Sequence, residues 1–291
     1  MTATTLAELA RRHGFTAAEA VAAPVQGVAN HVHFVGGDLV VRVAREGFGD
    51  DLRKEAAVIP AAGRAGVPVP EIVDAGELDG VPYMLQRRVP GEAPPLPERP
   101  EGDARGAAYR DLGAVLARLH AHATVPPGVP AFDAGDPTRL TGWLTRSGRL
   151  GAQTADWLAA WLDRLGELGG TAAGRCLLHG DAGPANTLAR DGRVTGLLDW
   201  GDACAGDPAA DLAKVPPVAL PYVLDGYRPA EPFAFAARVL RVHLHWAVGR
   251  FPTPPDLGAR HWSAQPGNRV AELLRLFALG APSPWRELGP V

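Results

Sequence analysis

Apolar and polar positions alternate over the first ninety residues of the chain and then shift to a helical period for most of the rest. "HVHFV" (31–35) and "LVVRVA" (39–44) carry β-branched alternation around the turn "GGD", and "VPEIVDAGELDGVPYMLQRRV" (69–89) predicts two further strands about Asp79 and Gly80. Between them "DDLRKEAAVIPAAGRAG" has the composition of a helix that Gly66 and Pro68 stop. "PGEAPPLPERPEGD" (90–103), dense in proline and charge, reads as a linker. Beyond it, Leu112, Leu116 and Leu119 fall on one helical face, and Trp157, Leu158, Trp161, Leu162 and Leu165 repeat the pattern. The expected organisation is a β-rich unit with one embedded helix over residues 1–89, and a larger helical unit over 90–291 that holds all seven tryptophans.

The 46% of apolar residues is ample for a core, and a formal charge of −3 gives no electrostatic case for nucleic acid. Cys176 and Cys204 show no metal-type spacing and read as reduced thiols. The start "MTATTLAELARRHGF" lacks the pattern of a signal peptide and reads as a helix with a Thr5–Glu8 capping box. No apolar run approaches the ~20 residues needed to span a bilayer. The expectation is a cytoplasmic protein with no membrane and no obligate protein partner. Arginine greatly outnumbers lysine, Lys54 and Lys214 being the only two lysines, and no internal repeat is visible.

The stretch "LLHGDAGPANTLARDGRVTGLLDWGD" (177–202) changes the picture from architecture to chemistry. "RCLLHG" and "VTGLLDW" are short apolar runs joined through an Asp-Gly turn, predicting a hairpin with polar clusters at one edge. Asp181 stands past the first run, Asn186 five residues on and Asp199 at the end of the second. Singly, each is an ordinary turn residue. Together, a carboxamide and carboxylate oxygens aimed at one point make a hard-oxygen site suited to Mg²⁺ carrying phosphates. The spacing matches the phosphoryl-transfer arrangement of an Asp for the acceptor hydroxyl followed by Asn and Asp for metal.

On these residues the sequence resembles the aminoglycoside phosphotransferases and related small-molecule kinases. "HGDAGPAN" is similar to their catalytic loop, "GLLDWGD" to their counterpart of the kinase DFG segment, and "GDPAADLA" to the stretch that follows. The resemblance, from about Gln26 to Ala213, implies an α+β, protein-kinase-like fold of two lobes. It implies Mg²⁺ and ATP or GTP as cofactors, Asp181 as the catalytic residue, and Asn186 and Asp199 as metal ligands. For the nucleotide it implies a covering loop with Gly27 and Asn30, a cation at Arg42 where lysine is usual, and Glu55 as that cation's partner. Gln86 would stand at the back of the pocket, with main-chain contacts near Arg87 and Val89. His179 would anchor the loop, and Asp207 and Asp211 would brace it and cap the next helix.

The acceptor is expected to be a small-molecule hydroxyl met by the late helices, where His243, Trp246 and Arg250 follow one another at i, i+3 and i+7. The resemblance points to an antibiotic, an aminoglycoside or a cyclic peptide of the viomycin and capreomycin type. Macrolide-modifying members carry His at the position of Asn186. A metabolite kinase for choline, homoserine or a sugar is the alternative. Acids are sparse after the catalytic stretch, whereas a polycation should meet a cluster of them. A catalytically dead module would have lost one of Asp181, Asn186 or Asp199, and none is lost. A metallohydrolase would use His179, Asp181 and Asp199 with help from the pairs His31/His33 or His243/His245.

Overall fold

The structure, a computed structural model, describes residues 3–24, 26–133, 135–172, 174–255 and 262–290. Strands β1 (Ala20–Ala22), β2 (Asn30–Val35), β3 (Leu39–Ala44), β4 (Ile72–Leu78) and β5 (Val81–Arg87) form an antiparallel sheet in the order β1-β2-β3-β5-β4. Asp79 and Gly80 both take positive φ (52° and 76°), the backbone that a two-residue hairpin turn between β4 and β5 demands. Because side chains alternate along a strand, the sheet has two distinct faces. Val35, Val41, Val43, Tyr83 and Leu85 pack on Leu9 of helix α1 (Ala3–His13). Arg42, Met84 and Gln86 lie on the opposite face with helix α2 (Gly49–Arg64). Thr5 lies inside α1, and the capping box of this region is formed by Thr16 and Glu19 instead.

Past the linker come α3 (Gly106–His122), α4 (Pro137–Arg146), α5 (Ala152–Gly169), α6 (Ala209–Leu212), α7 (Leu220–Tyr227), α8 (Pro232–Gly249) and α9 (Asn268–Ala278). Helices α3 and α7 meet almost backbone to backbone: a Cβ on Gly113 would stand 2.0 Å from the Val223 carbonyl oxygen, and one on Gly226 1.7 Å from that of Arg110. Leu112, Leu116 and Leu119 are fully buried as their spacing predicts, while Trp157 turns out 41% exposed at the edge of the α5 stripe. One continuous apolar cluster contains Leu52, Val58 and Ile59 of α2 together with Leu112 and Leu116 of α3, so the largest core runs beneath both lobes. Among the described residues no helix is long and apolar enough to cross a membrane.

Two small ribbons carry the polar stretch, and they differ from the predicted hairpin. Strands β7 (Thr187–Arg190) and β8 (Arg193–Leu197) pair through Asp191 and Gly192, both at positive φ (52° and 75°). Strand β6 (Cys176–Leu178), read as one arm of that hairpin, pairs with β9 (Cys204–Gly206). The tight Asp-Gly turn can close only the strands next to it, which leaves the loop 179–186 outside the hairpin. The linker is tied to this ribbon: Glu92 and Ala189 exchange backbone hydrogen bonds (3.0 and 2.8 Å), and the Thr195 hydroxyl donates to the Pro90 carbonyl.

Candidate active site

The loop between β6 and β7 is held by one buried carboxylate. Asp211 of α6 accepts from the His179 and Gly180 amides, each at 2.8 Å, and from His120 Nε2 at 3.0 Å. Burial alone would raise its pKa, but the hydrogen bonds from His120 and the His179 amide outweigh burial and hold it below the usual carboxylate range. Gly180 has φ 83°, and a Cβ there would sit 2.0 Å from the Asp202 carbonyl oxygen, so the loop can cross the segment after β8 only with glycine. His179 is fully buried. Its Nε2 lies 3.0 Å from the Leu198 carbonyl and must carry the hydrogen, while Nδ1 accepts from the Asp181 amide at 3.2 Å. With both ring nitrogens engaged, His179 has no lone pair for a metal, which removes the hydrolase reading's first ligand. Among the described residues no group of three or more His, Cys, Asp or Glu side chains could hold a metal ion.

Asp181 is fixed from the other side by Asn186, whose Nδ2 donates to Asp181 Oδ2 (2.8 Å) and to its carbonyl (2.9 Å). Spending both amide hydrogens this way leaves Asn186 Oδ1 as a hard acceptor. Asp199, directly after the Leu198 that follows β8, takes φ 62°, a left-handed backbone that is uncommon outside glycine and concentrates at functional positions. Its side chain is 54% exposed, and Oδ1 accepts from Arg42 Nη2 at 3.1 Å.

Arg42 links the two lobes. Its guanidinium grips the fully buried Glu55 with both Nη atoms, Nη2 at 2.9 Å, and Glu55 Oε2 also accepts from the Trp200 amide at 3.2 Å. Burial disfavours the Arg42 charge, and the carboxylates of Glu55 and Asp199 more than offset this, raising its pKa. Asn30, also buried, has its amide between Arg42 Nη2 and the Ala29 carbonyl, and assigning its oxygen to the guanidinium side and its nitrogen to the carbonyl satisfies both. The preceding loop is stitched by Gln26, which bonds the Ala23 carbonyl and both backbone groups of Val32, and the space beside Gly27 is open.

At the hinge, Gln86 is buried on the Arg42 face of the sheet, and its Nε2 has no hydrogen-bond partner. An orphaned buried donor there fits a pocket whose occupant supplies the acceptor. The Arg87 amide is committed to the Glu71 carbonyl at 2.8 Å, and Val89 packs against Gly196 of β8. The oxygen-rich set of Asn186 Oδ1 and Asp199 fits a hard divalent cation, and the free edge of Arg42 fits phosphate oxygens.

A cavity of about 600 Å³ opens beside Asp181, walled by α8 and the residues around α9. Of the three late-helix residues singled out in the sequence, Trp246 and Arg250 line it. His243 does not: it is fully buried behind the wall, stacked on Trp262, with Nδ1 3.0 Å from the Ala213 carbonyl. The stripe at i, i+3 and i+7 is wide enough for one edge to face the core, and His243 is that edge.

Asp202, Lys214 and Arg269 also line this cavity, and sequence reasoning passed over all three. Burial pushes the Asp202 carboxyl up and nearby Asp181 and Asp199 push it further, against the pull of Lys214 and Lys54, the chain's two lysines. The signal for Asp202 was its place in "GLLDWGD", three residues after Asp199. Lys214 stands directly after "GDPAADLA", and Arg269 has no local signal at all.

The profile of the phosphotransferase enzyme family matches residues 21–252. Among solved structures, aminoglycoside 2'-phosphotransferase-IIIa in complex with GDP superposes with a TM-score of 0.64 at 21% identity, covering 89% of this chain and 92% of that one. Macrolide 2'-phosphotransferase MphH from Brachybacterium faecium gives 0.60 at 23% identity, over 96% of this chain and 98% of its own. At these identities the likeness establishes the fold, protein-kinase-like and two-lobed. A curated relative, acyl-CoA dehydrogenase family member 10 of Mus musculus, is 29% identical over 180 residues; the match covers 56% of this chain and spans only 16% of that protein. With the family's profile running from within β1 to just past α8, on the family's fold, the chain belongs to the phosphotransferase enzyme family.

Proposed function

We propose that the chain transfers the γ-phosphoryl group of Mg²⁺-ATP or Mg²⁺-GTP to a hydroxyl of a small molecule. The observation that carries this reading is the ion-paired line Glu55–Arg42–Asp199, which joins the sheet to the metal-type acid beside the Asn186–Asp181 pair. Asn186 Oδ1 and Asp199 would hold Mg²⁺, which when bound neutralises phosphate charge. Arg42, held flat by Glu55, presents guanidinium hydrogens to the phosphates. Gly27 and Asn30 belong to the covering loop, and Gln86, Arg87 and Val89 to the wall behind the base. Asp181 Oδ2 is occupied by Asn186, so Oδ1 is the atom left to orient the acceptor hydroxyl and take its proton. The acceptor oxygen forms its bond to phosphorus as the bond to the nucleoside diphosphate breaks.

The test is Asp181→Ala assayed by phosphate incorporation and by nucleotide-dependent thermal stabilisation. Turnover should fall by roughly 10²–10⁴-fold while Mg²⁺-nucleotide still stabilises the fold. Intact turnover with weakened nucleotide binding would assign Asp181 elsewhere.

Kanamycin, streptomycin and gentamicin are bound in several structures of similar fold. Carried over, they suggest an antibiotic acceptor, and a metabolite is the other reading. The charge of the cavity favours the metabolite: among the described residues Lys214, Arg250 and Arg269 face it with Asp181 and Asp202 opposed, where a polycation calls for the reverse.

A further inference from the structure

Among the described residues, the cavity beside Asp181 is lined by more cations than carboxylates: Lys214, Arg250 and Arg269 against Asp181 and Asp202. Arg269 of α9 is only 7% exposed, lies over the rings of Trp262 (4.7 Å) and Trp246 (5.7 Å), and makes a long 3.3 Å bond to the Ala213 carbonyl. Burial pushes its pKa down to about 10, and Arg250 nearby adds to the penalty while the Asp181 charge opposes it. Arg250, at the C-terminal cap of α8, gives Nη2 to the Ala264 carbonyl at 2.8 Å, and its Nε is buried with no partner. Among the described residues no carboxylate forms an ion pair with either arginine. Lys214, whose Nζ sits 4.4 Å over the Trp246 ring, reaches Asp181 Oδ1 only at 3.9 Å.

Burying the Arg269 guanidinium, and with it the Nε of partly buried Arg250, with carbonyl bonds but no ion pair is costly, and cation–π contacts at Arg269 offset only part of the cost. Such groups persist where a ligand supplies the missing charge. The nucleotide is not that ligand on this geometry. Its phosphates belong to the Arg42–Asp199 side of Asp181, whereas Arg250 and Arg269 stand on the side walled by α8 and α9.

We infer that the acceptor is a hydroxylated oxyanion, a small molecule whose carboxylate or phosphate ester docks between Arg250 and Arg269 while its hydroxyl lies against Asp181. Trp246 supplies an apolar and π surface for the carbon skeleton between the two groups. Lys214 bridges the ends, close enough to Asp181 to moderate the approach of an anion to a carboxylate. The inference rests on the phosphotransfer reading above for the chemistry, and on the cavity alone for the charge of the ligand.

The test uses the full chain and a series of similar size that varies in charge: glucose, gluconate and glucosamine, with 6-phosphogluconate and kanamycin as the extremes. Trp fluorescence, reporting Trp246 and Trp262, is titrated with each compound without nucleotide, and phosphate incorporation is followed by mass with Mg²⁺-ATP and Mg²⁺-GTP. The anions should perturb the fluorescence and outrank the neutral and cationic members. Arg250→Gln should weaken anion binding roughly ten- to a hundred-fold, the range of a lost charge-assisted hydrogen bond, with Mg²⁺-nucleotide affinity unchanged. Arg250→Glu, at a half-exposed position, should invert the ranking.

Equal or better binding of glucosamine or kanamycin, or no response to either anionic probe, overturns the inference. Failure of Mg²⁺-nucleotide to bind strikes at the phosphotransfer reading instead. In that case an anion response that disappears in Arg250→Gln would still assign the cavity.

Discussion

Asp211→Asn preserves shape and removes charge at the point where the catalytic loop is hung. The native carboxylate accepts from two backbone amides at 2.8 Å and from His120 at 3.0 Å, in full burial. A carboxamide has one acceptor oxygen, so its NH₂ must face one of the two amides. One charge-assisted bond worth about 1.5–3 kcal/mol is lost, and a buried N–H is stranded at a further ~1–3 kcal/mol. The sum, about 3–6 kcal/mol, is a large share of the roughly 5–15 kcal/mol that holds a domain folded. It should lower Tm by roughly 6–20 °C. The loop it releases carries Asp181 next to Gly180, and an ångström of misplacement is worth about 10²-fold in rate. Thermal melts, urea titrations and turnover on the same preparation check both parts. A Tm within about 2 °C of the parent together with unchanged turnover would refute the claim that Asp211 holds the loop.

Asp199→Ala should weaken Mg²⁺-dependent nucleotide binding while leaving the fold intact, since the side chain is half exposed; isothermal titration with and without Mg²⁺ reads it, and unchanged titrations would move the metal elsewhere. Gly226→Ala should destabilise severely, because its Cβ would fall 1.7 Å from the Arg110 carbonyl and force α3 from α7; overpacking of this kind costs about 1–3 kcal/mol or more, measured by urea denaturation. His243 is pushed down to about 3 from 6.5, by burial first and Arg269 second, so it stays neutral in the fold while the unfolded chain protonates near its ordinary value. Its contribution is therefore complete above pH 6.5 and lost as pH falls toward 3, at up to about 1.4 kcal/mol per pH unit. His243→Gln should flatten urea stability between pH 6.5 and 5, and an unchanged slope there would show that His243 is not the group responsible.

The candidate site's two carboxylates and carboxamide were legible because they are local: Asp181, Asn186 and Asp199 sit within one short stretch beside a two-residue turn whose chemistry is explicit in Asp191 and Gly192. The Arg42–Glu55 pair, thirteen residues apart, needed the resemblance to be noticed, since a strand cation and a helix acid are individually ordinary. The pairing of β6 with β9 was not legible, because Cys204–Gly206 has none of the branched alternation of a strand and is held there by burial and by its neighbours. Periodicity picked out a helix that lines the cavity beside Asp181 but could not decide which edge of its apolar stripe faces the core, so His243, fully buried, was expected on the cavity side. The cavity itself draws on residues 181, 202, 214, 250 and 269, from separate elements, and a charge balance of that kind exists only after folding.

The strap that ties Glu92 to Ala189 and Pro90 to Thr195 sets the freedom of the whole machine. It fastens the exit of β5 to the ribbon whose two roots carry Asn186 and Asp199, so these positions are joined through a short run of backbone. The other end of the same ribbon is held to the first lobe by Arg42 on Asp199 and by Glu55 on the Trp200 amide, and α2 shares its core with α3, so the two lobes are fastened along the ribbon at more than one point.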